Sequence, residues 1–546
     1  MTSKFALLRR VSAAVLLGTG TLLAVTATLP MLVSISDPLA ATCDASGGSE
    51  TTAGERDWET EPTLVVNPTD ARNLITAWTQ DFSDAIVAAY SLDAGRSWHQ
   101  TVITQKFCTS TQPDVQQWTS AYDSMLAFAR NGTAYLSSVL ISGTGSAAAV
   151  NISYDKGRTW PRQVLLDDAQ GIKLERDDHT TIVADPLRPQ VVYVGWDRIS
   201  GTINGVTGGA QREPYLSRTT DGGQRWSAPI RILARANYVV PPGLMAFFHT
   251  LLPQPDGTLV DLFSLISAAQ DPQNVHGPVV LMATTSNDMG ETWSTPAQLL
   301  VSSDTTLPLF GSAVAPNGVI HLAWQRAGSP TLPTTTSIMH MTATRLAGGV
   351  FQTTAPTAAG SAVNERPMTV SHRLLAPPQL AYRDNRTLAV MFYDHRKNDA
   401  GADPNEPPHK TDLWLRFSSD GGLSWPDAQE RHVAGSFNIG TAPDTDGYTR
   451  SCNIDCQPQD GPPGPTGTPS PHTYGNGFIG DYWGFVPYGS GFAMAFAETN
   501  PQLPQLPHNT DIYFATVSPD TNAGCDGRNA DLTLLGSNAG AESPNE

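Results

Sequence analysis

From about Glu59 almost to the C-terminus, apolar residues in this chain come in short runs separated by clusters of Gly, Pro, Asp, Asn and Ser. Runs of this length bounded by turn residues predict strands rather than helices. Seven of them stand out: Asn73–Trp78, Thr133–Val139, Val191–Trp196, Thr258–Phe263, Val319–Trp324, Thr387–Tyr393 and Gly491–Phe496. Each follows an earlier apolar run and a turn, and six of the seven end in an aromatic. They read as the second strands of a repeated β unit.

An octapeptide, Ser/Thr-x-Asp-x-Gly-x-x-Trp, marks the repeat. It occurs as Ser91/Asp93/Gly95/Trp98, Ser153/Asp155/Gly157/Trp160, Thr219/Asp221/Gly223/Trp226, Ser286/Asp288/Gly290/Trp293 and Ser418/Asp420/Gly422/Trp425. Successive aspartates lie 62, 66, 67 and 132 residues apart, so the last gap spans two periods. A fixed period of this size specifies a repeat architecture. Asp and Ser/Thr side chains bond their own turn backbone, Gly accepts a positive φ, and Trp offers a large apolar plate. The octapeptide is therefore a hairpin turn with a wedge built in.

The pattern resembles the Asp-box, or BNR repeat, of the sialidase-like β-propeller superfamily, and the resemblance covers roughly residues 59–535. It implies an all-β propeller of four-stranded antiparallel blades. The long gap holds a decayed copy, Thr344 to Phe351, with Leu346 in the aspartate position. A second decayed copy begins at Ser518, which brings the units to seven. Seven blades are favoured. Six, the usual sialidase number, stays open because unit seven lacks an evident fourth strand. Residues before Glu59 or Leu532–Leu535 are the candidates to supply it.

Residues 1–41 read as a secretory leader: Lys4, Arg9 and Arg10, then an apolar stretch from Val11 to Ile35, then Ala40 and Ala41. The mature chain is expected to be secreted and to carry no membrane span; an uncleaved N-terminal anchor is the alternative. Residues 42–58 are expected to form a lead-in, 59–535 the propeller with a Pro/Gly-rich insertion at 435–476, and 536–546 a disordered tail. The net charge of −18 argues against nucleic acid, which asks for a basic face. The five cysteines, Cys43, Cys108, Cys452, Cys456 and Cys525, read as disulfide-forming in an exported protein, with one left over. No cofactor is expected. Acidic loops such as Asp444 to Asp446 leave calcium open, although no spacing there is diagnostic.

Propeller topology sorts the candidate chemistry. The start of strand one and the end of strand two share a face, whereas the octapeptide turns lie on the opposite face. Asp93, Asp155, Asp221, Asp288 and Asp420 are therefore expected to be structural. The functional face gathers Glu59, Glu61, Asp123, Asp177, Asp178, His179, His249, Asp481 and Tyr482 from strand-one starts. Strand-two ends add Asp197, Arg198, Gln325, Arg326, Asp394, His395, Arg396 and Glu498. The insertions Ser200–Glu213, Asn398–Thr411 and Ser436–Asn476 map to the same face.

The resemblance implies sialidase-type glycoside hydrolysis. That chemistry takes three arginines to clamp the sugar carboxylate, a tyrosine nucleophile activated by a glutamate, and an aspartic acid. Arg198, Arg326 and Arg396 are the clamp candidates, with Asp197, His179, Asp394 and Asp481 beside them. Tyr482 or Tyr393 is the nucleophile candidate, Glu61 its partner, and Asp177 or Asp178 the acid. Thr60 stands where the family places its first clamp arginine. Two other readings stay open. One is a non-catalytic propeller that binds a glycan or a cell-surface partner, with Trp196, Trp324, Tyr393 and Trp483 near the channel mouth. The other is a hydrolase or lyase of another polysaccharide that uses paired carboxylates such as Glu61 and Asp178. In each reading the partner is carbohydrate or glycoprotein and the protein is expected to be a monomer.

Overall fold

A computed structural model describes residues 30–34, 38–39, 59–81, 83–105, 118, 120–142, 145–168, 175–203, 206–267, 279–302, 310–326, 337–355, 377–394, 411–437, 479–499 and 510–519. A short strand, β1 (Met31–Leu32), precedes six consecutive four-stranded sheets. The first holds β2 (Thr60–Val66), β3 (Leu74–Gln80), β4 (Ala85–Ser91) and β5 (His99–Gln105). The second holds β6 (Ser120–Phe128), β7 (Ala134–Ser142), β8 (Gly145–Ser153) and β9 (Arg162–Asp168). The third holds β10 (Glu175–Ala184), β11 (Val192–Ile203), β12 (Val206–Thr219) and β13 (Ile230–Arg231), and is followed by a single helical turn, α1 (Ile232–Arg235). The fourth holds β14 (Leu244–Pro253), β15 (Leu259–Ser267), β16 (Val279–Ser286) and β17 (Ala297–Ser302). The fifth holds β18 (Gly311–Val314), β19 (Ile320–Arg326), β20 (Ser337–Arg345) and β21 (Phe351–Thr353). The sixth holds β22 (Gln379–Tyr382), β23 (Leu388–Asp394), β24 (Thr411–Ser418) and β25 (Glu430–Phe437).

The seventh sheet holds β26 (Gly484–Tyr488), β27 (Gly491–Thr499) and β28 (Thr510–Val517), and its fourth strand is β1. Every pairing is antiparallel, and Met31 and Leu32 register against Phe514 and Tyr513. The protein is a seven-bladed β-propeller, closed by a strand from the N-terminal side of the chain. No helix among the described residues is long and apolar enough to cross a membrane.

The octapeptide turns share one geometry. Ser91 Oγ accepts the Gly95 N–H at 2.9 Å and donates to Asp93 Oδ1 at 2.8 Å, while Asp93 Oδ1 accepts the Ser97 N–H at 2.9 Å. The same three bonds recur around Asp155, Asp288 and Asp420, and around Asp221 with Thr219 as the hydroxyl. The aspartates thus close their own turns. The wedge faces the preceding blade: Trp98 packs 5.2 Å from Phe514, Trp226 6.5 Å from Tyr135 and Trp425 5.4 Å from the His340 ring. Gly95 has φ 82°, and a Cβ there would lie 2.3 Å from Phe514, so no other residue fits.

Two sequence expectations change and one open choice is decided. Ser200–Glu213 is not a loop insertion; it prolongs the β11–β12 hairpin, with Thr202 opposite Thr207. Trp196, Trp324, Tyr393 and Trp483 are 0%, 1%, 5% and 4% exposed, which makes them packing between blades rather than plates for a sugar. The fourth strand of unit seven comes from before Glu59, one of the two sources expected for it, as Met31–Leu32. The cysteines, Asp444, Asp446, His395, Arg396 and the insertions at 398–410 and 438–476 lie outside the described residues.

Candidate active site

The inner strands of the first four blades carry the same irregularity. Register shifts fall between Thr60 and Thr63, Tyr122 and Met125, Asp178 and Thr180, and Phe247 and Thr250. Each bulge places one non-glycine residue in the left-handed region: Glu61 (φ 58°), Asp123 (φ 55°), His179 (φ 43°) and Phe248 (φ 55°). Such a conformation costs on the order of 1 kcal/mol per residue, and bulges of this kind re-aim side chains near functional sites.

The first two of these bulges converge on Tyr482. The Tyr482 hydroxyl lies 3.3 Å from Glu61 Oε2 and 3.3 Å from Asp123 Oδ1. The two carboxyl oxygens are therefore no farther apart than twice that distance. Glu61 is held from the seventh blade's side, where the Asp481 N–H donates to its Oε1 at 3.3 Å. Its own N–H donates to the Ile479 carbonyl at 3.3 Å. Gly480 (φ 131°) passes so close that a Cβ would lie 2.8 Å from the Glu61 nitrogen. Asp123 Oδ2 accepts the His179 N–H at 2.9 Å, and the Asp123 carbonyl accepts the Thr180 hydroxyl at 2.7 Å.

Burial dominates the electrostatics. It lifts Glu61 from 4.5 to about 8, helped by the charges of Asp481 and Asp178. Burial also lifts Asp123 well above the carboxylate range, helped by Glu61 and Asp178. Tyr482 is pushed far above the usual phenol value by burial and the surrounding carboxylates. Asp178 behaves differently. Burial would raise it, but Arg212 at 2.8 Å and Arg176 together hold it below its ordinary value. Its side chain is 13% exposed, so it marks the wet edge of the cluster. His179 stacks on Phe248 at 4.0 Å, and burial depresses it to about 3, leaving a neutral ring.

The remaining candidates take other duties. Asp177 accepts from Arg198 Nε at 2.7 Å and from the Ser146 hydroxyl at 3.2 Å, and burial lifts it to about 6. Arg198 is also paired with Asp167, so this guanidinium already has two carboxylate partners and is not open to clamp a ligand carboxylate. Asp197 accepts the Phe248 N–H at 3.0 Å and is raised to about 6 by burial. Tyr393 donates its hydroxyl to the Ala497 carbonyl at 2.9 Å and packs against Trp483 and Phe437, which makes it an inter-blade residue and not a nucleophile. Asp394 is 1% exposed at the end of β23. Arg326 ends β19, and its side chain lies outside the described residues, as Arg396 does entirely.

Asp123 was absent from the sequence-based catalytic set and is central here. One signal pointed to it: it follows Glu61 by the 62 residues that separate Asp93 from Asp155. It is the Glu61 position of the next repeat. Among the described residues no group of three or more His, Cys, Asp or Glu could hold a metal ion.

No protein-family model and no curated protein match the chain. Solved structures do. An ulvan lyase, described as a new polysaccharide lyase family, matches at 9% identity and a TM-score of 0.47, over 86% of this chain and 96% of that one. An α-L-arabinanase of Penicillium chrysogenum in complex with arabinobiose matches at 13% identity and a TM-score of 0.38, over 67% of this chain and 93% of that one. An α-L-arabinofuranosidase of Fusarium graminearum with an iminosugar inhibitor matches at 14% identity and a TM-score of 0.37, over 67% and 92%. Carbohydrate-active enzymes thus stand among its structural neighbours. The propeller assignment itself rests on the seven sheets.

Proposed function

We propose that this protein is an extracellular, sialidase-like glycoside hydrolase that acts with retention through Tyr482, Glu61 and Asp123. The observation that carries the reading is the Tyr482 hydroxyl set 3.3 Å from both carboxyls. A phenol held against a carboxylate base can itself serve as the nucleophile, and a covalent tyrosyl intermediate displaced by water gives net retention.

In the first step Tyr482 Oη attacks the anomeric carbon while Glu61 takes the phenolic proton. Asp123 gives its proton to the leaving glycosidic oxygen, and that C–O bond breaks. In the second step water replaces Tyr482 on the anomeric carbon, its proton passes to Asp123, and Glu61 returns the phenolic proton. This requires Glu61 ionised and Asp123 protonated. Two carboxyls so close assist that split, because the first to ionise holds its neighbour protonated. Asp178, kept anionic by Arg212 and Arg176, raises both carboxyls, and stands higher among the causes for Asp123 than for Glu61.

A sialic acid substrate would further need a guanidinium clamp. With Arg198 engaged, that task would fall to Arg326 and Arg396. The test is release of fluorophore from a panel of neutral and acidic glycosides, with Tyr482→Phe, Glu61→Gln and Asp123→Asn beside the wild type. Expected are turnover of at least one glycoside, product of retained configuration by NMR, and a loss of about 100-fold or more in each variant. Absence of cleavage across the panel, with glycan binding intact, would replace the enzyme by a binding propeller.

A further inference from the structure

The N-terminal apolar stretch is longer than one function requires. A leader's apolar core takes about 7–15 residues and the whole leader about 15–30. The stretch from Val11 to Ile35 exceeds the first, and an end at Ala41 exceeds the second. Its distal part is built into the propeller. Met31 and Leu32 pair with β28, and the Val33 N–H donates to the Ile512 carbonyl at 2.7 Å. The Ile512 N–H in turn donates to Ser34 Oγ at 2.9 Å. Val33 is fully buried in the cluster that holds Ile512, Phe514 and Trp98, and Ser34 is 3% exposed. Without these residues β28 becomes an open sheet edge, and the blade against which Trp98 wedges loses its outer strand.

We infer that the stretch is two segments in series: a leader cut after Ala27, and a latch, Met31–Ser34, that stays in the mature chain and closes the seventh blade. The split leaves Val11–Val25 as the leader's apolar core, behind Lys4, Arg9 and Arg10. Small residues at Ala24, Thr26, Ala27 and Thr28 supply the processing site. A cut at Ala41 would remove the latch. The inference rests on the leader reading of the N-terminus and is independent of the catalytic proposal.

Two measurements on the exported full-length gene product test it. Intact mass and N-terminal sequencing should place the mature N-terminus at Thr28. A start at Thr42, or an uncut chain, overturns the processing site. Val33→Ala should lower the melting temperature of the exported protein by a few degrees and increase its susceptibility to protease, because the latch is still present to be weakened. An unchanged melting temperature would show that the latch is not part of the folded product. If Val33→Ala is not recovered, chains started directly at Thr28 and Thr42 give the same comparison. Equal melting temperatures there would also overturn it.

Discussion

Glu61→Gln gives the sharpest test of the site's electrostatics. In the folded protein burial lifts Glu61 from 4.5 to about 8, whereas in the unfolded chain it titrates near 4.5. Below pH 4.5 both states carry the proton and the shift has no effect on stability. Between pH 4.5 and 8 the unfolded state ionises first, so the wild type loses stability as pH rises, and the loss levels off above about 8. At about 1.4 kcal/mol per unit, the full shift is worth on the order of 5 kcal/mol. The amide keeps the shape and carries no proton to lose, so Glu61→Gln should lack most of this slope. The assay is thermal or urea unfolding of both proteins at pH 4.5, 6, 7 and 8, read as the stability of the variant minus that of the wild type. That difference should climb steadily with pH. A flat difference, or one that falls, would mean that Glu61 is ionised in the folded protein at neutral pH and that the cluster is not dry.

Other outcomes follow from the same geometry. Turnover should rise with pH toward about 8 as Glu61 becomes a competent base, and Glu61→Gln should lose this limb along with the activity; a pH–rate profile falling over that range would reject the assignment. Gly480→Ala forces a Cβ to within 2.8 Å of the Glu61 nitrogen, so it should reduce kcat about 100-fold through misplacement of the carboxyl while circular dichroism stays that of a β-protein. Arg212→Met should cost about 3 kcal/mol at pH 7 by leaving Asp178 short of its nearest cation. Because Asp178 is held below its ordinary 3.8, that deficit should shrink as the pH falls below about 4; a pH-independent deficit would assign it to lost packing on Phe247 instead. Asp93→Ala removes the acceptors for three turn bonds and should lower stability by about 1–2 kcal/mol in unfolding experiments without touching turnover.

The sequence alone determined the repeat. Ser/Thr, Asp, Gly and Trp at fixed offsets are local chemistry: the hydroxyl and carboxylate close their own turn, and the glycine permits the approach that seats the tryptophan. Their spacing therefore announced blades, a decayed copy at Thr344–Phe351 and the face on which these aspartates serve structure. It also placed Glu61, Asp178, His179, Asp481 and Tyr482 on the opposite face, since strand starts and ends alternate predictably in an antiparallel blade. What the tertiary structure decided is which of those residues meet. Tyr482 and Glu61 are 421 residues apart, and no periodicity states that ring closure sets the seventh blade beside the first. Strand bulges, invisible in composition, turn Glu61 and Asp123 inward, and so made central an aspartate that the sequence placed on this face without a catalytic role. Pairing decided the rest. Arg198 is engaged by Asp167 and Asp177, and Tyr393 by Ala497, because a buried polar group must find a partner wherever the fold puts one within reach. Met31–Leu32 reads as part of a leader on hydropathy and becomes a strand because only the folded seventh blade, more than 450 residues away in sequence, supplies the β28 edge for it to join.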